Sequence, residues 1–391
     1  MSKGWRFETN EKKYVSEVLA NGFGASETGA FTERLEKAFA SKHNQKYGIG
    51  CNSGTSTLHA ALESFGVGPG DEVIIPSLTV AMCGYAVTHA NAVPVYADVL
   101  EDTFLIDPED IKRKITPKTK AIMVVHLYGL MCNMEEIEKI AQEHNLFILE
   151  DCAQCFLATD HRGIVAGTSG HVGSWSFENS KHLSCGDGGI VTTDDPDLAR
   201  FMRQYAGVGF KNITSDSGKV RISRDKFQDP EWERHNILAY NYRLPEICAA
   251  VALAQVEKID WLCDLRKKMG ESYMGVIKET ETDLLIPQSI PEGYTNSYYT
   301  FACAFNGEKY GIGWHDFRKK YIEFGGDGIY AAWQLVYNEP CFRDSSIGWG
   351  TAPNAEKLQK KIMQFTCNQS NEEEIMKQAD CLTKTVNYYG K

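Results

Sequence analysis

The chain has 391 residues, enough for one large domain and a smaller one. Hydrophobic residues make up 43% and charged residues 24%, ordinary for a globular protein, and a formal net charge of −11 argues against nucleic acid or an anionic membrane surface as a partner. The opening MSKGWRFETNEKKYV has no apolar core of the kind a secretory signal needs, and no apolar run approaches the roughly 20 residues of a membrane helix. A cytoplasmic protein whose 12 cysteines are reduced thiols is therefore expected.

In chain order, the first legible element is a helix with Leu58, Ala61, Leu62 and Phe65 on one face, entered directly from Asn52-Ser53-Gly54-Thr55-Ser56-Thr57. Strand-like runs follow at 72–76, 92–99 and 120–129. Asn133 followed by Glu136 predicts a reciprocally capped helix start, with Ile137, Ile140 and Ala141 continuing its apolar face. A strand at 145–151 ends on Glu150-Asp151. Cys152 and Cys155 form a C-x-x-C that has neither a second pair nor a thioredoxin-like setting, so structural thiols are expected there. Strands at 173–177 and 188–195 flank a loop that carries Lys181 and a glycine turn. Residues 211–236 are polar and charged and predict a long surface excursion. Residues 245–270 predict one long helix with Pro245 in its first turn and a stripe of Ile247, Ala250, Val251 and Ala254. A mixed pattern follows, with a strand at 297–305 and helices near 314–324, 352–363 and 372–386. Alternating β and α units predict a mostly parallel sheet covered on both faces, followed by a smaller α+β domain.

Three segments carry chemistry. A glycine-containing turn that opens a helix offers free backbone N–H groups and the positive end of the helix dipole, a site for phosphate, though a plain capped helix reads the same way. An acid at the C-terminal edge of a buried parallel strand, as at Asp151, lies where open α/β sheets bind ligands; its bland counterpart is a strand-end acid capping a turn. A loop lysine between two strands, as at Lys181, can face a cleft and act as a nucleophilic amine, although most lysines are solvated.

Together these segments resemble the DegT/DnrJ/EryC1/StrS family of PLP-dependent sugar aminotransferases, over nearly the whole chain from about Glu17. Ser53-Gly54-Thr55-Ser56-Thr57-Leu58 fits the family's S-G-T-x-x-L, and Glu150-Asp151-Cys152-Ala153-Gln154 fits E-D-x-A-Q. Ser176-Phe177, Lys181 and Gly186-Asp187-Gly188-Gly189 fit S-F-x-x-x-K-x-x-x-x-G-[ED]-G-G, and 241–250 fit N-Y-R-x-x-E-x-x-A-A. The resemblance implies a fold type I α/β transferase with a large cofactor domain over 1–250 and a small α+β domain over 251–391, reached through the long helix. It implies pyridoxal 5'-phosphate as cofactor, held as a Schiff base on Lys181. Asp151 would pair with the pyridinium nitrogen, Gln154 would meet the ring's hydroxyl side, and Gly54, Thr55 and Ser176 would hold the phosphate. Asn241 would reach the phosphate from the partner subunit of a homodimer. The implied substrates are glutamate and a nucleotide-linked deoxysugar with a keto group at C3 or C4.

Alternatives of the same resemblance are a transaminase of a cyclic ketone without a nucleotide, a PLP-dependent sugar 3-dehydratase, and a PLP-binding regulator without turnover. Members with the dehydratase activity carry His at the Schiff-base position; here that register falls on Lys181, with His182 one step out. The chain departs from the family in having Val80 where an aromatic residue stacks on the ring, in lacking a glycine across Cys155-Phe156-Leu157-Ala158, and in the aromatic stretch 325–340. Arg203, Lys211, Lys219, Arg221 and Arg224 are the basic residues placed to meet a nucleotide diphosphate.

Overall fold

The computed structural model describes residues 3–25, 29–218 and 223–390. Apolar runs without alternation form strands buried on both faces, as expected of a mostly parallel sheet. The sheet is built from β1 (Tyr47–Cys51), β2 (Glu72–Pro76), β3 (Val93–Ala97), β4 (Thr119–Val125), β5 (Phe147–Asp151), β6 (Val172–Ser176) and β7 (Gly189–Thr193). Their spatial order is β1-β7-β6-β5-β4-β2-β3. The pairs β2–β3, β2–β4, β4–β5 and β5–β6 are parallel, whereas β7 runs antiparallel to both β6 and β1. Six of the strands match the sequence expectation within a few residues; β1, too short and glycine-rich to signal itself, was not expected.

The helix expected over 245–270 is two helices. Glu246–Val256 ends at Glu257, Lys258 has non-helical backbone, and a second helix runs over Ile259–Thr280. Pro245 is the extended residue before the first helix, not part of its first turn. The expected stripe is also blurred: Ala249, Ala250, Ala252, Leu253 and Ala254 are all buried, while Ile247 and Val251 are half-buried. The helix Glu11–Ala20 and the helix Phe31–Lys42 both pack against Glu246–Val256, so more than one of its faces is covered.

A second, antiparallel sheet of order β10-β11-β9-β8 comprises β8 (Leu285–Pro287), β9 (Thr300–Phe305), β10 (Ile329–Ala331) and β11 (Ile362–Thr366). β11 occupies the C-terminal part of the helix expected at 352–363, which stops at Gln359. The helix Ile259–Thr280 joins the two cores: Ile259 and Leu262 belong to the first, and Met269, Tyr273, Val276 and Ile277 to the second. Among the described residues no helix is long and apolar enough to cross a membrane. All twelve cysteines are free thiols, and the buried Cys152 and Cys155 are joined by a backbone hydrogen bond, Cys155 N–H to Cys152 O at 2.9 Å.

Candidate active site

The site lies at the C-terminal ends of β5 and β6. The short turn from β1 lets Ser53 cap the helix Gly54–Ser64: its hydroxyl accepts from Ser56 N–H at 3.1 Å, and Ser56 Oγ returns a bond from Ser53 N–H. The amides of Gly54 and Thr55 then stand in the first turn with no intrahelical carbonyl to bond. Ser176, the last residue of β6, packs against them. A Cβ on Gly54 would fall 2.8 Å from Ser176 Cβ and 3.3 Å from its Oγ, so only glycine lets the serine hydroxyl approach this helix start. Thr57 ties the same helix to β6 through Ser174 Oγ at 2.8 Å. Two loose N–H groups, a hydroxyl and a helix dipole make a cradle suited to a phosphate.

Register pairs Asp151 on β5 with Ser174 on β6, so the carboxylate sits two residues from Ser176 along the neighbouring strand. Asp151 is buried. One oxygen accepts from Ala153 N–H at 2.9 Å and the other from the Cys83 thiol at 3.4 Å. Burial pushes its carboxyl above the ordinary range; the charge of Lys181 is among the influences that pull it back. A carboxylate so placed favours a cationic neighbour.

Lys181 is half-buried, and its Nζ lies 4.7 Å from the centroid of the Tyr299 ring. Tyr299 N–H donates to Tyr128 O at 2.9 Å, and Tyr128 N–H donates to Gln154 Oε1 at 2.9 Å. Tyr128 is thereby held at φ +65°, the left-handed region an aromatic residue rarely adopts, which links the lysine loop to Gln154 through a strained but doubly anchored backbone. His182 is buried against Phe156, with Nε2 donating to Ser297 O at 2.8 Å.

Gly54, Thr55, Asp151, Gln154, Ser176 and Lys181 therefore lie at or near the C-terminal ends of β5 and β6, and Asn241 lies on a different segment. It is exposed beside the end of β1, where Tyr242 O accepts from Asn52 N–H at 2.8 Å, and it lines a cavity of about 450 Å³ with Glu36, Arg203 and Arg243. Arg203 is not available to a diphosphate: it is buried, paired with Glu36 at 2.7 Å and bonded to Gly48 O. Lys211 lies near Glu233 at 3.8 Å and over the Trp232 ring. Lys219, Arg221 and the side chain of Arg224 lie outside the described residues. Cys83, Tyr128 and Tyr299 escaped the sequence reading. They lie far from Lys181 along the chain, and no local pattern marks them.

The fold is that of the fold type I PLP-dependent transferases. The chain belongs to the DegT/DnrJ/EryC1/StrS aminotransferase family, whose sequence profile matches residues 6–379. It is 40% identical to GDP-perosamine synthase of Caulobacter vibrioides over 258 residues, which are 65% of this chain and 64% of that protein. The chain thus spans a little under two thirds of the length of that relative. It is 35% identical to L-glutamine:2-deoxy-scyllo-inosose aminotransferase of Streptomyces fradiae over 295 residues, 74% of this chain and 67% of that one. The solved structure of the aminotransferase from Psychrobacter cryohalolentis superposes with a TM-score of 0.88 at 27% identity, covering 98% of each chain.

Proposed function

We propose that the chain is a pyridoxal-phosphate-dependent aminotransferase that passes the amino group of glutamate to the C3 or C4 keto group of a nucleotide-linked deoxysugar, working as a homodimer in the cytoplasm. The observation that carries this reading is the convergence of Lys181, the buried Asp151, and the Gly54–Thr55 helix start against Ser176. The cofactor, when bound, supplies an electron sink for the carbanion at the substrate's reacting carbon. Lys181 would hold the cofactor and would take and return the proton at that carbon. Asp151, a buried carboxylate that accepts only one amide and one thiol, would keep the ring nitrogen protonated. The Gly54 and Thr55 amides and Ser176 Oγ would hold the phosphate, and Gln154, fixed by Tyr128, would meet the ring's hydroxyl side. Val80, half-buried one turn before Cys83, offers an aliphatic surface in place of an aromatic stack. Asn241, exposed beside the end of β1, would complete the partner subunit's phosphate site.

The inward turn of His182 speaks against the dehydratase reading, because the side chain that would have to replace the lysine amine is packed into the core. The resemblance to the Streptomyces fradiae protein supports a second reading, transfer to a cyclic ketone that carries no nucleotide. Saturation binding of nucleoside diphosphates separates the two: micromolar binding supports the nucleotide sugar, and none supports the cyclic ketone. The proposal as a whole is tested by borohydride reduction of the yellow holoenzyme, which should leave one pyridoxyl group on Lys181. Incubation with glutamate alone should then release one equivalent of 2-oxoglutarate per site. A label on another lysine overturns the reading.

A further inference from the structure

Two arginines, one at each end of the molecule's sequence logic, meet beneath the Lys181 loop. Arg6, in the short 3-10 turn Lys3–Phe7, is 2% exposed, and Arg266, on the helix Ile259–Thr280, is 3% exposed. Arg6 donates through Nη1 to Asn179 O at 3.3 Å and through Nη2 to Lys181 O at 2.8 Å and His182 O at 2.6 Å. Arg266 donates through Nη2 to Ser180 O at 2.8 Å and Lys181 O at 3.0 Å, and through Nη1 to Tyr299 O at 2.7 Å. Four consecutive carbonyls, 179 to 182, are thus all held by guanidinium groups, and the Lys181 carbonyl is held by both. Among the described residues neither arginine forms an ion pair with a carboxylate, although the charge of Glu178 acts favourably on Arg6. Burial and the charge of Arg266 hold Arg6 below its ordinary range, so the pair is costly to keep. Arg6 is itself anchored: its carbonyl accepts from Gln255 Nε2 at 2.7 Å and from Lys258 Nζ at 2.6 Å, at the break between two helices. Trp5 packs edge-on against Trp261 with ring centroids 5.6 Å apart.

We infer that Arg6 and Arg266 are positioning residues for Lys181, clamping the backbone of its loop so that the amine stands where the cofactor's aldehyde must meet it. This rests on the reading of Lys181 as the cofactor-bearing lysine. Together the two arginines donate six hydrogen bonds, five of them to the carbonyls of residues 179–182, which an apolar pair in their place would leave without these donors. A planar fork that grips two carbonyls at once does suit a loop that must not yield when its lysine is bonded and released in every cycle.

The test compares two ligands. Pyridoxal phosphate condenses with Lys181; pyridoxamine phosphate, an amine, cannot, yet it has the same ring and phosphate. A lesion that merely loosens the fold weakens both. A lesion that displaces the lysine weakens only the first. Dissociation constants for both ligands are measured on apoprotein by fluorescence quenching, for wild type, Arg6→Met, Arg266→Met and Lys181→Ala. Each arginine variant should lose about tenfold or more in affinity for pyridoxal phosphate, as expected for loss of charged hydrogen bonds, and change less than about threefold for pyridoxamine phosphate. Lys181→Ala should show the same selectivity to a greater degree. If a methionine variant does not fold, Arg6→Lys and Arg266→Lys keep the charge and lose the fork, and the same selective loss is expected of them. Equal losses for both ligands, or none, overturn the inference. Borohydride labelling that maps to a lysine other than Lys181 overturns the reading beneath it instead, and Lys181→Ala would then bind both ligands as wild type does.

Discussion

Glu150 and Asp151 are adjacent in sequence and opposite in use, because successive strand residues point to opposite faces. Glu150 turns away from the ligand edge. Its oxygens accept from the amides of Gly167, Ser169 and Gly170 and meet His126 Nε2 at 2.8 Å, so it fastens the loop before β6. Cys132 N–H donates to the other ring nitrogen of His126, which leaves the ring's proton on Nε2, facing Glu150. Asp151 has only one amide and a thiol, and its charge is left for something else to meet. Asp151→Asn keeps the shape and removes the charge. The variant should fold with an unchanged melting temperature within a few degrees and lose on the order of 100-fold or more in turnover, as loss of a preorganised electrostatic partner does. Near wild-type turnover would reduce Asp151 to a strand-end acid.

The helix Phe31–Lys42 ends on His43, whose ring is fully buried between Phe39 and Trp175, at centroid distances of 4.3 and 4.8 Å. Its Nδ1 donates to Phe39 O at 2.9 Å, and Nε2 has no partner, which suits a neutral imidazole. Burial lowers the ring's pKa to about 4 from an ordinary 6.5. The unfolded chain therefore binds the proton first. Stability from this group is full above pH 6.5 and is lost as the pH falls toward 4, by about 3 kcal/mol in all. In His43→Phe that acid-sensitive contribution is gone. Urea unfolding of the variant should lose about 2 kcal/mol less between pH 7 and pH 5 than the wild type does. Parallel pH profiles for the two proteins would mean that His43 is protonated at no cost in the folded state.

At the scale of the whole molecule, the site is assembled where chain direction changes. β7 reverses against β6 and leads back beside β1, which puts the Gly54 helix start against Ser176 even though more than a hundred residues separate them. The proposed dimer extends the same logic across two chains. With Lys181 serving one site and Asn241 serving the partner's, mixing Lys181→Ala with Asn241→Ala subunits yields hybrids with one intact site and one doubly damaged site. Activity should return to at most about half the wild-type level per hybrid, by the symmetry of a two-fold interface. The assay is run at limiting pyridoxal phosphate so that loss of the Asn241 contact is felt, and differential tags confirm the hybrids. No rescue in confirmed hybrids would place Asn241 in its own chain's site.

Several features of this protein were determined by local sequence alone. The runs EVIIP and LFILE are continuous and apolar because both faces of a parallel strand are covered, so they announced themselves without a structure. Gly54, Asp151, Ser176 and Lys181 were legible because they fall in motifs that occur in one order along the chain, each weak alone. Tertiary structure decided the rest. The break at Lys258 lies within an unbroken helical pattern and is visible only once Arg6 and the helix Glu11–Ala20 are seen to dock beside it. Arg203 reads as a solvated cation until Glu36, 167 residues away, is found against it. Arg6 and Arg266 grip carbonyls, and a carbonyl belongs to every residue, so no side-chain pattern could have pointed to them. Short-range periodicity records what a segment must bury, whereas contacts made to backbone atoms across the fold leave no trace in the order of residues.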